Sequence, residues 1–241
     1  SAADVSEVSA AAPPANKVEE LFPGLAAAAA AVPKPEGQTF SYGTAGFRTK
    51  GNLLDSTCFR MGLLCALRSY ATQRVIGICM TASHNPEVRK SRRFVPSMLF
   101  VLTAHARLLV NQEDNGIKIS DPDGGVLDMS WEQHCTNLAN APDDGVAAAV
   151  QDVGVPRLTG LARLFQRRLQ VLLFFRILSQ LLGIVDAEDI SLTGTDTIPT
   201  VFVARDTRST GKALCDHARD AALALKANVL DFGELTTPQL H

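Results

Sequence analysis

VIGICMTASHNP, residues 75–86, is the stretch that decides the fold. Its first six residues are a short continuous apolar run, which is typical of a strand covered on both faces rather than of an amphipathic helix. Pro86 then prevents simple continuation. Ser83 is therefore predicted on a tight turn at a strand end, where backbone N–H groups can hold an anion. An ordinary polar turn is the alternative for this motif taken alone.

The segments on either side predict an α/β domain. A helix is expected after Ser56 or Thr57, either of which can act as its N-cap, and a Ser130-x-x-Gln133 capping box precedes another. Residues 200–204, 209–228 and 229–232 predict a strand, a helix and a parallel strand. The predicted inner faces are Phe59, Leu63, Ala66, Leu67 and Tyr70, then Trp131, Cys135 and Leu138, and then Leu214, Ala218, Ala221 and Leu225.

Three further motifs carry charged side chains. GTAGFR ends at Arg48, EDNGIK ends at Lys118, and RDTR at 205–208 follows a predicted strand. The carboxyl ends of strands are where α/β sheets usually present ligands. Two alternatives stay open: Lys118 as a solvated surface lysine, and RDTR as a turn that merely ties the strand end down.

Together these motifs resemble the alpha-D-phosphohexomutases. The resemblance rests on SYGTAGFRTK at 41–50, TASHNPE at 81–87, EDNGIK at 113–118, RDTR at 205–208 and LTTPQLH at 235–241. It implies a three-layer α/β/α first domain with a mixed sheet over residues 39–241. Residues 1–38 are expected to be a disordered or short helical extension, and the family's second to fourth domains are expected to be absent.

The resemblance also implies a phosphosugar mutase. Ser83 would donate a phosphoryl group through a sugar bisphosphate intermediate, with Arg48 on phosphate oxygens, Lys118 as general acid/base and His84 orienting the site. Residues implied as support for substrate or phosphate are Thr44, Asn85, Asn115, Arg205, Asp206 and Arg208. The implied reaction interconverts N-acetylglucosamine 6-phosphate and 1-phosphate, on the route to UDP-N-acetylglucosamine. A phosphoglucomutase-like or phosphomannomutase-like substrate range is one alternative, and a non-catalytic domain that binds phosphosugar or a protein partner is another.

The magnesium site of the family is incomplete in this sequence. The family binds Mg²⁺ through the phosphoserine, here Ser83, and three aspartates of an Asp-Gly-Asp-x-Asp-Arg loop, and no such run occurs in the 241 residues. Residues 186–189, Asp-Ala-Glu-Asp, do not substitute for it. Without the metal, stabilisation of the transferring phosphoryl group would be largely lost. We therefore expect this chain to be an incomplete and inactive form.

Two inserted stretches depart from the family pattern. Residues 88–112 separate Glu87 from Glu113, whose family equivalents are adjacent. The stretch opens with valine, whose codons begin GT, and closes with glutamine, which CAG encodes, so a retained in-frame intron is one hypothesis. Because Ser83 and Lys118 must approach the same substrate, the ends of this excursion must return close together.

The second inserted stretch, residues 157–185, is leucine-rich and basic, with apolar residues at helical spacing. A core-packing helix, another mis-spliced segment and a basic helix on a membrane surface are its alternatives.

Composition and charge limit the classes of partner and the cellular compartment that we expect for this chain. A net charge of -2 and a pI near 6.2 give no electrostatic case for nucleic acid. The apolar run at 98–110 is shorter than the ~20 residues of a membrane span, and the N-terminus has no convincing signal peptide. Five scattered cysteines favour buried thiols in a reducing compartment, so a cytoplasmic protein with a small phosphosugar as its partner is expected.

Overall fold

A five-stranded mixed sheet organises the computed structural model, which describes residues 20–43, 46–82, 114–142, 177–192 and 197–240. Its strands are β1 (Phe47–Lys50), β2 (Ile76–Met80), β3 (Asp114–Ser120), β4 (Thr200–Arg205) and β5 (Asn228–Glu234). The strand order is β1-β3-β2-β4-β5. β3 is antiparallel to both β1 and β2, whereas β4 is parallel to β2 and to β5. The expected α/β fold with a mixed sheet is confirmed.

Helices lie on both faces of the sheet in the described residues. They are α1 (Leu25–Ala30), α2 (Asp55–Thr72), α3 (Met129–Asn140), α4 (177–187), α5 (Gly211–Ala224) and α6 (Thr237–Leu240). Met80 points to the α2 side, where its Sδ lies 3.6 Å from Cys58 Sγ. Gly77 points to the opposite side, because side chains alternate along a strand. A Cβ on Gly77 would lie 3.5 Å from Leu240 Cγ, so the short helix α6 lies against β2 on that other face.

The close approach of α2 and α5 depends on Gly62. A Cβ at this position would lie 2.2 Å from the carbonyl oxygen of Ala218, which real side chains do not tolerate. The glycine therefore lets the two helices pack backbone against backbone beside the sheet.

The apolar run at residues 75–80 forms the central strand of the sheet. All residues of β2 are buried, as expected for a strand covered on both faces. The strand begins at Ile76 rather than at Val75, which is 36% exposed. The predicted parallel unit 200–232 is also confirmed as β4, α5 and β5, and the four apolar residues predicted for its helix are buried.

Both predicted helix caps are wrong. α2 begins at Asp55 after Leu54, which has helical dihedrals, is fully buried and forms no side-chain capping hydrogen bond. The hydroxyls of Ser56 and Thr57 are consequently buried inside the first turn without a hydrogen-bond partner. In α3, the N-cap is Asp128, whose carboxylate accepts from the Ser130 amide at 2.8 Å. Ser130 itself is already inside the helix.

The described end of the second inserted stretch packs into the core. Ile177, Leu178, Leu181 and Ile184 of α4 are buried in the main hydrophobic cluster, which supports the core-packing interpretation for this part. Just beyond α4, Glu188 accepts from Trp131 Nε1 at 3.0 Å and lies 3.0 Å from His134 Nε2. Residues 88–112 and 157–176 lie outside the described residues. Along the described ranges, no helix is both long enough and apolar enough to cross a membrane.

The remaining expectations concern the N-terminal extension and the thiols. α1 packs into the domain, with Leu25 and Ala29 in the core, whereas residues 1–19 lie outside the described residues. All five cysteines are free and buried, as predicted.

Candidate functional site

The carboxyl ends of β2 and β4 and the amino end of β3 meet at one edge of the sheet. The amide of Thr81 donates to the carbonyl of Gly116 at 2.9 Å, and the amide of Asp206 donates to the carbonyl of Met80 at 3.0 Å. The chain that leaves β2 therefore reaches residue 82 between β3 and the RDTR turn. Four of the residues expected here lie outside the described residues: Thr44, Ser83, His84 and Asn85.

Arg48 and Lys118 lie on the same face of the sheet at this edge. Arg48 pairs with Gly116 across β1 and β3, and Lys118 pairs with Cys79 across β3 and β2. Residues directly opposite each other share a face, and so do residues two apart on one strand. The two cations are thus diagonal neighbours on the face away from α2. The Nε and Nη2 atoms of Arg48 are buried, and Lys118 is half-buried.

Two glycines of the motifs allow the strands to approach this closely. A Cβ on Gly116 would lie 2.6 Å from the carbonyl oxygens of both Phe47 and Thr81. Gly46 has a φ of 78°, and a Cβ there would lie 2.0 Å from the carbonyl oxygen of Ile117. Only glycine meets both demands, since it has no Cβ and adopts positive φ without strain. The glycines of GTAGFR and EDNGIK therefore serve to place Arg48 and Lys118.

Asn115 connects the start of β3 to the start of α5. Its side chain is fully buried, and its Nδ2 donates to Thr210 Oγ1 at 2.9 Å while its Oδ1 accepts from the Gly116 amide at 2.8 Å. The role of Thr210 was missed from the sequence. Thr210 precedes Gly211, the first residue of α5, but its side chain forms no capping hydrogen bond, so no local signal in the sequence indicated this contact.

The three charged residues of RDTR separate into two groups. Asp206 and Arg208 bond to the segments at the ends of β2 and β3, and Arg208 is only 5% exposed. Arg205 instead points toward β5, with its Nη1 2.8 Å from Glu234 Oε1. The hydrogen bonds of this turn tie strand ends together.

Cys79 is opposite Lys118 but is a poor nucleophile at neutral pH. Burial, reinforced by the charge of Asp206, raises the pKa of the Cys79 thiol to about 12. A thiol attacks as its thiolate, which is scarce when the pKa is this high.

The described residues do not fit the metal site of the implied family. Across the five described ranges, no group of three His, Cys, Asp or Glu side chains is arranged to hold a metal ion.

Known proteins resemble the chain in both sequence and fold. The phosphoacetylglucosamine mutase of Mus musculus is 36% identical over 208 residues, which is 86% of this chain and 28% of that protein. The Saccharomyces cerevisiae protein of the same name is 33% identical over 204 residues, 84% of this chain and 27% of its own length. No protein-family model matches the chain.

Solved structures give the same result. An N-acetylglucosamine-phosphate mutase in a substrate complex, described as a member of the alpha-D-phosphohexomutase superfamily, matches with a TM-score of 0.64 and 30% identity, over 92% of this chain and 31% of that one. The Aspergillus fumigatus N-acetylphosphoglucosamine mutase in complex with GlcNAc-6P and magnesium matches with a TM-score of 0.61 and 31% identity, over 96% of this chain and 30% of that one.

Fold and sequence together place the chain in the alpha-D-phosphohexomutase superfamily. Within this superfamily it is a relative of the phosphoacetylglucosamine mutases. It spans about 28% of the length of the first curated relatives that it matches.

Proposed function

We propose that the chain is the phosphoserine-bearing part of a phosphosugar mutase, which interconverts N-acetylglucosamine 6-phosphate and 1-phosphate on the route to UDP-N-acetylglucosamine. The observation that carries this proposal is the shared sheet face of Arg48 and Lys118, beside the end of β2 that leads to Ser83. Substrate choice is supported by the relatives, since the curated matches are phosphoacetylglucosamine mutases.

Each residue has a role that its position allows. Ser83 follows β2 and would hold the phosphoryl group, which then needs only positioning and charge neutralisation to be transferred. Arg48 offers a planar fork of N–H donors that matches phosphate oxygens. Lys118 lies on β3 two residues beyond Gly116, the partner of Arg48, and on the same face. There it would exchange a proton with the sugar hydroxyl that receives the phosphoryl group. His84 is proposed to orient the site, and Thr44 and Asn85 are proposed as support for substrate or phosphate.

Magnesium is present in the homologous Aspergillus fumigatus complex. In the whole family the ion would neutralise charge on the transferring phosphoryl group. The described residues of this chain supply no ligand set for it, so full turnover by this chain alone is not part of the proposal.

The domain assignment and the compartment are part of the same proposal. Residues 39–241 would form the first domain of a longer mutase architecture. Five buried, free thiols support a reducing compartment such as the cytoplasm. The slightly negative net charge gives no electrostatic case for nucleic acid as the ligand.

Phosphoryl transfer to the chain tests the proposal directly. The full chain is incubated with glucose 1,6-bisphosphate and Mg²⁺, and the mass increase of one phosphoryl group is located by tandem mass spectrometry. Because the described residues supply no metal ligands, labelling should be slow; we expect the label on Ser83, no label in Ser83→Ala, and an unchanged rate in the control Ser191→Ala. Lys118→Met should slow labelling more than Lys118→Arg does.

Two outcomes would count against this function. A label on another residue overturns the nucleophile assignment. Binding of the bisphosphate without any transfer assigns the chain to the non-catalytic alternative.

A further inference from the structure

The RDTR turn holds the two chain segments that flank residues 83–113. Arg208 Nη2 donates to the carbonyl of Ala82 at 2.9 Å, and Nη1 donates to the carbonyl of Asp114 at 2.9 Å. The third nitrogen, Nε, donates to Asp206 Oδ2 at 3.1 Å. Each nitrogen of the guanidinium is therefore engaged by a protein acceptor.

Asp206 forms further hydrogen bonds to the end of β2. Its amide donates to the Met80 carbonyl at 3.0 Å, and its Oδ2 accepts from the Ala82 amide at 3.3 Å. Its other oxygen, Oδ1, accepts from the Arg208 amide at 3.1 Å, which fixes the turn itself. The residue before Ser83 is thus held at both its N–H and its C=O.

We infer that Asp206 and Arg208 are positioning residues, which set the separation between Ala82 and β3 and do not bind the substrate phosphate. This inference rests on the proposed function, because Ser83 follows Ala82 and Lys118 lies on β3. The planar, rigid fork of arginine suits such a link, since it can donate to two carbonyls in fixed directions at once. A lysine ammonium has no such fixed geometry.

Hydrogen exchange on the full chain tests the link itself. Arg208→Gln and Asp206→Asn should speed exchange of the Thr81 and Ala82 amides by about tenfold, since local opening then breaks fewer bonds. Amides of β5 should be unchanged. The control Arg219→Gln removes a surface arginine of α5, paired with Asp216 and Asp220, and should change neither region. Unchanged exchange at Thr81 in Arg208→Gln would overturn the inference.

A comparison of binding with transfer separates positioning from phosphate binding. Arg208→Gln should slow single-turnover transfer from glucose 1,6-bisphosphate by about tenfold or more, with a dissociation constant within about twofold of the parent chain. Arg208→Lys keeps the charge and should not restore the rate. If Arg208→Gln instead raises the dissociation constant and Arg208→Lys returns it to the value of the parent chain, Arg208 binds the phosphate. If the parent chain shows no transfer, the proposed function fails, while the exchange measurements still decide the link between Ala82 and Asp114.

Discussion

Thr81 and Gly116 contact each other backbone to backbone: the Thr81 amide donates to the Gly116 carbonyl at 2.9 Å, and a Cβ on Gly116 would lie 2.6 Å from the Thr81 carbonyl oxygen. This contact joins the last described residues before position 83 to the first ones after position 113. It extends the pairing of β2 with β3, which places Arg48, Lys118 and the chain that leads to Ser83 on one sheet.

Gly116→Ala should destabilise the domain strongly. The new Cβ meets backbone oxygens of Phe47 and Thr81, neither of which can move without shifting a strand. We expect a loss of about 3 kcal/mol in the free energy of unfolding, measured by urea denaturation. Gly183→Ala is the matched control, since nothing lies within 4 Å of its Cβ in α4, and it should be neutral or stabilising by up to about 1 kcal/mol. Equal effects of the two changes would contradict the close approach of the strands.

Deletion of residues 88–112 should leave the fold intact. Arg208 and the β2–β3 pairing already hold the two ends together, and the deletion shortens the connection from 31 residues to six. The entropic cost of closing the shorter loop is lower, which should add about 1 kcal/mol to the free energy of unfolding. An increased urea midpoint would measure this gain. A Gly/Ser replacement of equal length separates the effect of length from that of content. A deletion variant that fails to fold would show that the excursion is part of the domain.

The origin of residues 88–112 is tested on the transcript. If the stretch is a retained intron, sequencing of spliced messages should yield reads that join the codons of Glu87 and Glu113. The absence of such reads from well-covered transcripts would reject the hypothesis.

Arg60→Met should cost about 3 kcal/mol of stability. Arg60 is 1% exposed, and its Nη1 donates to the carbonyls of Leu138, Ala139 and Ala141 at the end of α3. Methionine fills much of the volume but leaves these buried carbonyls without the donor. Chemical denaturation measures the loss, with the exposed Arg74→Met as control. A loss no larger than that of the control would show that Arg60 does not hold α3.

Stability should fall as the pH rises above about 9, because the buried thiols must stay neutral in the folded chain. Burial raises the pKa of Cys79 and of Cys215 to about 12. A folded pKa above the unfolded one means that the stabilisation is complete below the unfolded value of about 8.5 and is lost as the pH rises toward 12. Urea unfolding at pH 7 and pH 10 measures the fall. The double variant Cys79→Ala, Cys215→Ala should show a smaller fall, and an equal one would assign it to other groups.

The local sequence pattern was sufficient to predict helices and strands that are buried on one face or on both faces. The apolar run of β2 could be predicted from its continuous burial, and the inward positions of α3 and α5 because one-sided burial imposes a period on the sequence. In α2 the predicted inward residues are buried, but so is every residue over 56–67, so the period there identified only part of the buried surface. The start of α2 could not be predicted, since the residue before the helix is the buried, apolar Leu54 and the nearby hydroxyl groups form no capping bond. The capping box at Ser130 was also wrong, because the helix begins one residue before Ser130 and Asp128 is its N-cap.

The sequence by itself determined the family, the central strand and the identity of the charged residues, because these depend on short runs of neighbouring residues. Only the tertiary structure decided that Arg48 and Lys118 share one face, since strand register places residues that are 70 positions apart in the chain side by side. It also decided that Arg208 bonds to Ala82 and Asp114 while Arg205 turns to Glu234. That difference depends on which oxygen acceptors the folded sheet brings within reach of each guanidinium, two backbone carbonyls for Arg208 and a carboxylate for Arg205, and no local pattern records it.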